Sequence, residues 1–350
     1  MYRPSSLRST VMQAWLLTSH GDPHKAFAFR EVPDPQSKSH EILIRVEGFG
    51  INFADVMAAR GLYREAPPLP SVLGYEVVGR VERAGAAVPG DLLGKRVVAL
   101  TRFGGYAQLA KADHRACAVI RDAMPLGVAA ALATQGCTAW YAARIAYPLR
   151  KGQRVLVHSA AGGVGQLLVQ LALHTGCEVF AVAKGEDKMT HLRAMGAQHV
   201  IDRGKGPYAE AVRVALNGAL LDVSFNAVGG RTFGQDMRMI GPGGAVVLFG
   251  GSQRSAGSGP FATLRFVWDM GVIIPIFLMM KSRSVIGINM LKIADHRPLL
   301  AAECLHGAVQ AAEQGILRPH VHAVLPATRL GDAHAMLASG TTLGKVALQW

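Results

Sequence analysis

Residues 155–158, Val-Leu-Val-His, make a short apolar run of strand type. Ser159 to Gly165 follow as Ser-Ala-Ala-Gly-Gly-Val-Gly, and residues 167–172 then carry apolar side chains at helical spacing. Strand, glycine-rich turn and helix in this order can cradle the pyrophosphate of a dinucleotide. The first glycine of the usual G-x-G-x-x-G pattern is replaced by Ala160. Gly162 stands where the backbone must approach the phosphates, and Gly165 where helix and strand must pack closely. A helix opening near Val164 presents unpaired N–H groups and a positive dipole end. Ala161, Gly162, Gly163, Val164 and Gly165 are therefore expected to hold a dinucleotide. A plain β–α connection uses the same residue types, and it is the further strands downstream that favour the nucleotide.

The second strand of such a unit selects between the two nicotinamide dinucleotides. An acidic residue at its end bonds the ribose hydroxyls of NAD, whereas cations pair with the 2′-phosphate of NADPH. Here the strand Glu-Val-Phe-Ala-Val-Ala (178–183) ends in Lys184-Gly185, with Lys188 a turn later and Arg203 after the next strand. Glu186 and Asp187 fit a helix N-terminus, where carboxylates complement the dipole. The expected cofactor is NADPH.

These groups need elements to carry them. From about 125 to 295, strand-like segments alternate with helical ones, which predicts a parallel sheet with helices on both faces. Residues 12–120 instead show short β-rich runs broken by Gly and Pro. The tail holds one long helix and the returning strand Gly-Lys-Val-Ala-Leu-Gln-Trp (344–350). The expected fold class is α/β, a doubly wound Rossmann sheet inserted in a β-rich domain. The expected boundaries are 12–132 plus 300–350 for the β-rich domain, 133–299 for the dinucleotide-binding domain, and 1–11 as an N-terminal extension.

Bulk properties narrow the function classes. The chain has 350 residues, 50% hydrophobic and 17% charged, enough for two cored domains. Its net charge of +13 favours anionic ligands, but no Lys/Arg run gathers it into a nucleic-acid patch. No nucleic-acid partner is expected. The four cysteines (117, 137, 177 and 304) are far apart with no C-x-x-C, which fits a reducing, cytoplasmic setting and no disulfide scaffold. Thirteen histidines make no convincing short-spaced pair with a cysteine, so no metal site is expected. The apolar run 266–280 is interrupted by Asp269 and Pro275; it reads as a buried or pocket-lining helix rather than a transmembrane segment.

Four stretches together resemble a known family: GINFADVMAARGLY (50–63), LPSVLGYEVVGRVERAG (69–85), HSAAGGVGQLLVQLA (158–172) and QGILRPHVHAVLP (314–326). They are similar to the zinc-free quinone oxidoreductases of the medium-chain dehydrogenase/reductase superfamily, most of all to the branch of the vesicle amine transport protein homologues. The resemblance implies a GroES-like catalytic domain beside the Rossmann domain, and NADPH-dependent reduction of a quinone or an α,β-unsaturated carbonyl. Zinc-dependent members carry ligands where this chain has Asn52 and Tyr75. Without a Lewis acid the acceptor must already be electrophilic, and the protein must hold the nicotinamide, exclude water and donate hydrogen bonds to the developing oxyanion. Asn52, Tyr63 and Thr138 are the expected walls of that site, with Asp55 either a helix-stabilising carboxylate or a fourth polar member. By motif, Asn226, Val228, Gly250, Ser252, Asn289 and Lys345 are further expected cofactor contacts. A homodimer is expected, since the last Rossmann strand, SVIGIN, would leave an exposed edge. Two other readings stay open: a NADPH-binding protein with little turnover and a regulatory or membrane-associated role, and an enoyl-thioester reductase.

Overall fold

The computed structural model describes residues 11–256 and 259–350. The expected extension, residues 1–11, lies outside them except for Val11, which opens the first strand, Val11–Leu17. Backbone contacts divide the chain into two compact units. One runs up to Ala133 and includes Ala323–Thr341 and Val346–Trp350; the other comprises Thr134–His322 and Thr342–Lys345.

The first unit is antiparallel. The strands Phe27–Pro33, Val11–Leu17 and Ser71–Val72 form a small sheet. The long strand Glu41–Ile51 is the spine of the larger one. It pairs with Glu76–Ala84, Leu109–Asp113 and Lys345–Gln349, and Arg96–Leu100 continues outward. Ile42, Ile44, Val46, Phe49 and Ile51 point from that spine into a core with Val77, Val97 and Tyr106. This is the expected GroES-like architecture.

The second unit contains a six-stranded parallel sheet. Its order is His199–Asp202, Glu178–Ala183, Arg154–His158, Leu221–Asn226, Ile240–Leu248 and Ser284–Gly287. In sequence rank this is 3-2-1-4-5-6, the doubly wound Rossmann order. Period-two alternation feeds two cores. Val155, Val157, Val179, Ala181, Val223 and Phe225 face one cluster with the helix Gly163–Thr175. Leu156, Phe180, Val182 and Val246 face another, with Val212, Leu216, Phe233 and Met239.

Two features differ from the sequence-based expectation. The helix Pro298–Glu313 belongs with the parallel sheet and not with the β-rich domain: Ala308 and Ala311 are buried in the same cluster as Ala139, Val155 and Leu171. Its small residues allow this close approach, and Gly307 lies against the Trp140 ring. The apolar run around 266–280 is not a buried helix. It forms two helices, Gly259–Met270 and Pro275–Met280, and Trp268 is 83% and Val272 90% exposed. Residues Phe261–Met280 together have the length and composition to cross a bilayer. Residues 271–274, opening on Gly271 at φ +72°, separate them, and at 1.5 Å per residue the two helices reach about 18 and 9 Å, short of the ~30 Å hydrocarbon core.

Candidate functional site

The glycine-rich turn takes the predicted form. Gly162 precedes the helix Gly163–Thr175 in extended conformation, and among the described residues no side chain caps that helix. Its first N–H groups have no intrahelical acceptor, the condition for anion binding. A Cβ at Gly165 would meet the Ser159 carbonyl, so close helix–strand packing requires glycine there. At Gly163 the cause is one the sequence did not reveal. A Cβ there would overlap the side-chain amide of Gln135. Gln135 is 7% exposed and its Oε1 has no hydrogen-bond partner among the described residues. It belongs to the π-helical turn Leu132–Gly136, a local irregularity often found at functional sites. Its only sequence signal is its position three residues before Thr138.

The tail closes on this turn. Gly344 N–H donates to the Ala161 carbonyl at 2.9 Å, and Lys345 N–H to the His320 carbonyl at 2.9 Å. The Lys345 side chain is fully buried. Gln166 on the same helix accepts from His320 N–H at 2.8 Å.

The expected cations meet at the ends of the second and third strands. Arg203 N–H donates to the Ala183 carbonyl at 2.9 Å, which puts Arg203 beside Lys184. Burial first, then the nearby Arg203 charge, pull the Lys188 ammonium below its ordinary range. Two local carboxylates are committed elsewhere. Glu186 pairs with Arg193 at 2.9 Å and Lys205 at 3.3 Å. Asp202, which sequence reasoning passed over, accepts from Gly204 N–H at 2.8 Å and Gly185 N–H at 3.3 Å, and these bonds hold it below the usual carboxylate range. It shapes the turn that carries Lys184 and Arg203.

The turns after the fourth and fifth strands interlock. Ser252 and Gln253 N–H groups donate to the Ala227 and Val228 carbonyls at 3.2 and 3.1 Å. Gly250 packs on the Ala227 backbone. Asn226 is fully buried, and its side-chain oxygen accepts from Val228 N–H and Gly229 N–H at 2.8 and 2.9 Å, so its side chain faces inward. Asn289 caps the helix Met290–His296 through a 3.2 Å bond from Lys292 N–H.

The three expected catalytic residues fall in different units. Asn52 and Tyr63 lie in the first and Thr138 in the second. Asn52 starts the helix Phe53–Ala59; its backbone N–H donates to Asp55 Oδ2 at 2.9 Å and its Nδ2 to Glu76 Oε1 at 2.8 Å. Asp55 thus has the helix-stabilising role. Asp55, Glu76 and Tyr106 are all fully buried. Tyr63 meets Tyr75 edge-on with ring centroids 6.2 Å apart, and Tyr75 packs on Phe103 at 5.1 Å. Burial raises the Tyr63 hydroxyl further above its ordinary pKa. Thr138 gives its hydroxyl proton to the Thr134 carbonyl at 2.7 Å, leaving only lone pairs to offer. At Asn52 and Tyr75 the side chains are an amide and a packed phenol, and no three His, Cys, Asp or Glu side chains gather as metal ligands among the described residues.

Comparison with known proteins agrees with this layout. The alcohol dehydrogenase GroES-like domain family matches residues 38–144, and the zinc-binding dehydrogenase family matches residues 163–303. The chain is 29% identical over 342 residues to the synaptic vesicle membrane protein VAT-1 homolog of Homo sapiens, covering 97% of this chain and 86% of that protein. It is 28% identical over 309 residues to the quinone oxidoreductase-like protein 2 of Rattus norvegicus, covering 88% and 84%. The quinone oxidoreductase of Escherichia coli, solved in complex with NADPH, matches with a TM-score of 0.84 at 25% identity, covering 97% of this chain and 100% of that one. The chain belongs to the medium-chain dehydrogenase/reductase superfamily, among its zinc-free, quinone oxidoreductase-like members. It is an oxidoreductase of that superfamily with a nicotinamide cofactor.

Proposed function

We propose that the chain transfers hydride from NADPH to a quinone or an α,β-unsaturated carbonyl without a metal. The observation that carries the reading is the convergence of Lys184, Lys188 and Arg203 at the end of the second strand, with the local carboxylates Glu186 and Asp202 already paired. A 2′-phosphate fits that charge. Ala161, Gly162, Gly163, Val164 and Gly165 would hold the pyrophosphate. The turns bearing Val228, Gly250 and Ser252 would line the rest of the cofactor, with Asn289 and Lys345 at its margins. The bound dinucleotide supplies the hydride. The protein's own tasks are to orient the acceptor, exclude water and donate to the oxygen that gains charge as hydride adds at the conjugated carbon. The Tyr63 O–H and the Asn52 amide are suited to donate, and solvent or Tyr63 supplies the proton. Thr138 would wall the site as an acceptor. The test is NADPH oxidation with a panel of quinones, enones and enoyl thioesters. Binding of NADPH with no turnover across the panel refutes hydride transfer to these acceptors and leaves a nucleotide-binding role.

The reading extends to assembly and setting. Among the described residues Ser284–Gly287 pairs only with Ile240–Leu248, so the described sheet ends at that strand, and the exposed apolar helices precede it in the chain. Pairing of that edge with a second copy would relieve both. Light scattering should give a dimer that Trp268→Glu with Phe277→Glu weakens; a wild-type monomer at micromolar concentration contradicts it. All four cysteines are free, buried thiols, which supports a cytoplasmic setting.

A further inference from the structure

Asp236 lies on the helix Arg231–Met239 and is fully buried. Four side chains surround its carboxylate. The Tyr208 hydroxyl donates to Oδ1 at 2.8 Å; Ser224 Oγ and Asn226 Nδ2 donate to Oδ2 at 2.7 and 2.6 Å. His158 Nε2, a donor in the tautomer that carries its hydrogen there, stands 2.9 Å from Oδ2. An ionised carboxylate only accepts, and all four partners can offer a hydrogen.

The partners show what that geometry controls. His158 is the last residue of the first strand, one before Ser159, where the glycine-rich turn begins. Asn226 is the last residue of the fourth strand. Its Nδ2 is spent on Asp236 and Thr232, so its Oδ1 faces the next turn and accepts from Val228 N–H and Gly229 N–H. Thr232 Oγ1 closes the turn by donating to the Gly229 carbonyl at 2.7 Å. One carboxylate therefore ties together the strand ends from which both cofactor turns leave.

We propose that Asp236 is a positioning residue for the dinucleotide, acting through Asn226 on the 227–230 turn and through His158 on the 159–165 turn. The proposal rests on the NADPH-binding reading above. Both turns serve the part of the cofactor that NADPH and NADH share, so damage here weakens both alike, unlike damage at Lys188.

The test is fluorescence titration of NADPH and NADH against Asp236→Asn and Asn226→Ala, with Tm measured for each. Both variants should raise both dissociation constants by about tenfold, the scale of a lost charged hydrogen bond. Phe233→Leu, on the same helix but in the apolar core, should lower Tm and leave both constants unchanged. Unchanged affinity in Asp236→Asn and Asn226→Ala overturns the proposal, as does a loss confined to NADPH or a matching loss in Phe233→Leu. If the buried variants do not fold, Thr232→Val carries the test at the turn itself: both affinities should fall, and unchanged values overturn the proposal. A wild-type protein that binds neither nucleotide removes the NADPH reading and this proposal together; variants that bind like a binding-competent wild type remove only the latter.

Discussion

Arg203 lies near enough to Lys188 for its charge to add to burial in pulling the Lys188 ammonium below its ordinary range. Two cations held this close repel one another in the unliganded protein, and a 2′-phosphate placed with them reverses the sign of the interaction. Lys188→Ala should weaken NADPH by about 1–2 kcal/mol, the scale of a charged hydrogen bond, and leave NADH nearly unchanged. The pH dependence has a defined direction. The phosphate binds the protonated lysine, so NADPH affinity should fall as pH rises through the lowered Lys188 pKa, while NADH affinity stays flat. Equal losses for both cofactors in calorimetric titration would sink the specificity argument.

Gly163 is constrained by Gln135 as well as by the cofactor. Gly163→Ala drives a methyl group into the Gln135 amide and should weaken dinucleotide binding, since overpacking at a tight contact costs about 1–3 kcal/mol. Gln135→Ala opens the space. The double variant should therefore bind better than the sum of the single losses, a coupling that a double-mutant cycle measures directly. Gly163→Asp adds charge against the pyrophosphate and should abolish binding even with Gln135 shortened. Strict additivity of Gly163→Ala and Gln135→Ala would show that the contact does not matter.

His334 is buried against Tyr106 and Phe27, with Nε2 3.2 Å from the Tyr106 hydroxyl, and burial pushes its pKa down to about 3. The ordinary value is about 6.5. Between these values the unfolded chain takes up a proton that the folded chain refuses. Stability from this group is therefore complete above about pH 6.5 and falls as pH drops toward 3, by about 1.4 kcal/mol per unit. His334→Gln keeps a polar partner for Tyr106 without the titration. Urea unfolding from pH 7 to 4 should show a shallower decline in the variant; identical slopes would rule His334 out as the cause.

The sequence-legible part of this protein is the part written in local chemistry. The Gly162–Gly165 turn, the strands that follow it and the cations after the second strand announce themselves because backbone approach and phosphate charge demand particular residue types at fixed spacing. The helix Pro298–Glu313 is assigned to the β-rich domain by position in the chain, whereas its Ala and Gly face finds a partner at Trp140, a long-range fit that periodicity does not encode. The exposed run 261–280 misleads for a related reason: apolar composition predicts burial but does not say against what. Gln135 and Asp236 stay silent because a buried amide or carboxylate becomes meaningful only when the strands bring its neighbours in.

Asn52 and Tyr63 provide the sharpest test of the chemistry. Both carry hydrogens that can stabilise charge arriving on an acceptor oxygen. Tyr63 carries its phenolic proton, and burial moves its pKa further up. Asn52 is oriented by the Glu76 carboxylate through a 2.8 Å bond. Interactions that strengthen only as charge moves should appear in kcat rather than in cofactor binding. Tyr63→Phe should therefore lower kcat about tenfold, roughly one neutral hydrogen bond in the transition state, with the NADPH dissociation constant within about twofold. Asn52→Ala should cost at least as much in kcat, with some loss of Tm because the buried Asn52–Glu76 hydrogen bond is lost. Asn52→Asp separates the two roles. It places a carboxylate beside Glu76 and Asp55 and removes the donor, so kcat should stay low even where thermal stability is recovered by lowering the pH. Stopped-flow hydride transfer from NADPH to a simple quinone isolates the step. If Tyr63→Phe and Asn52→Ala both transfer hydride at the wild-type rate, the donors lie elsewhere and the acceptor oxygen is served by water or by backbone N–H groups.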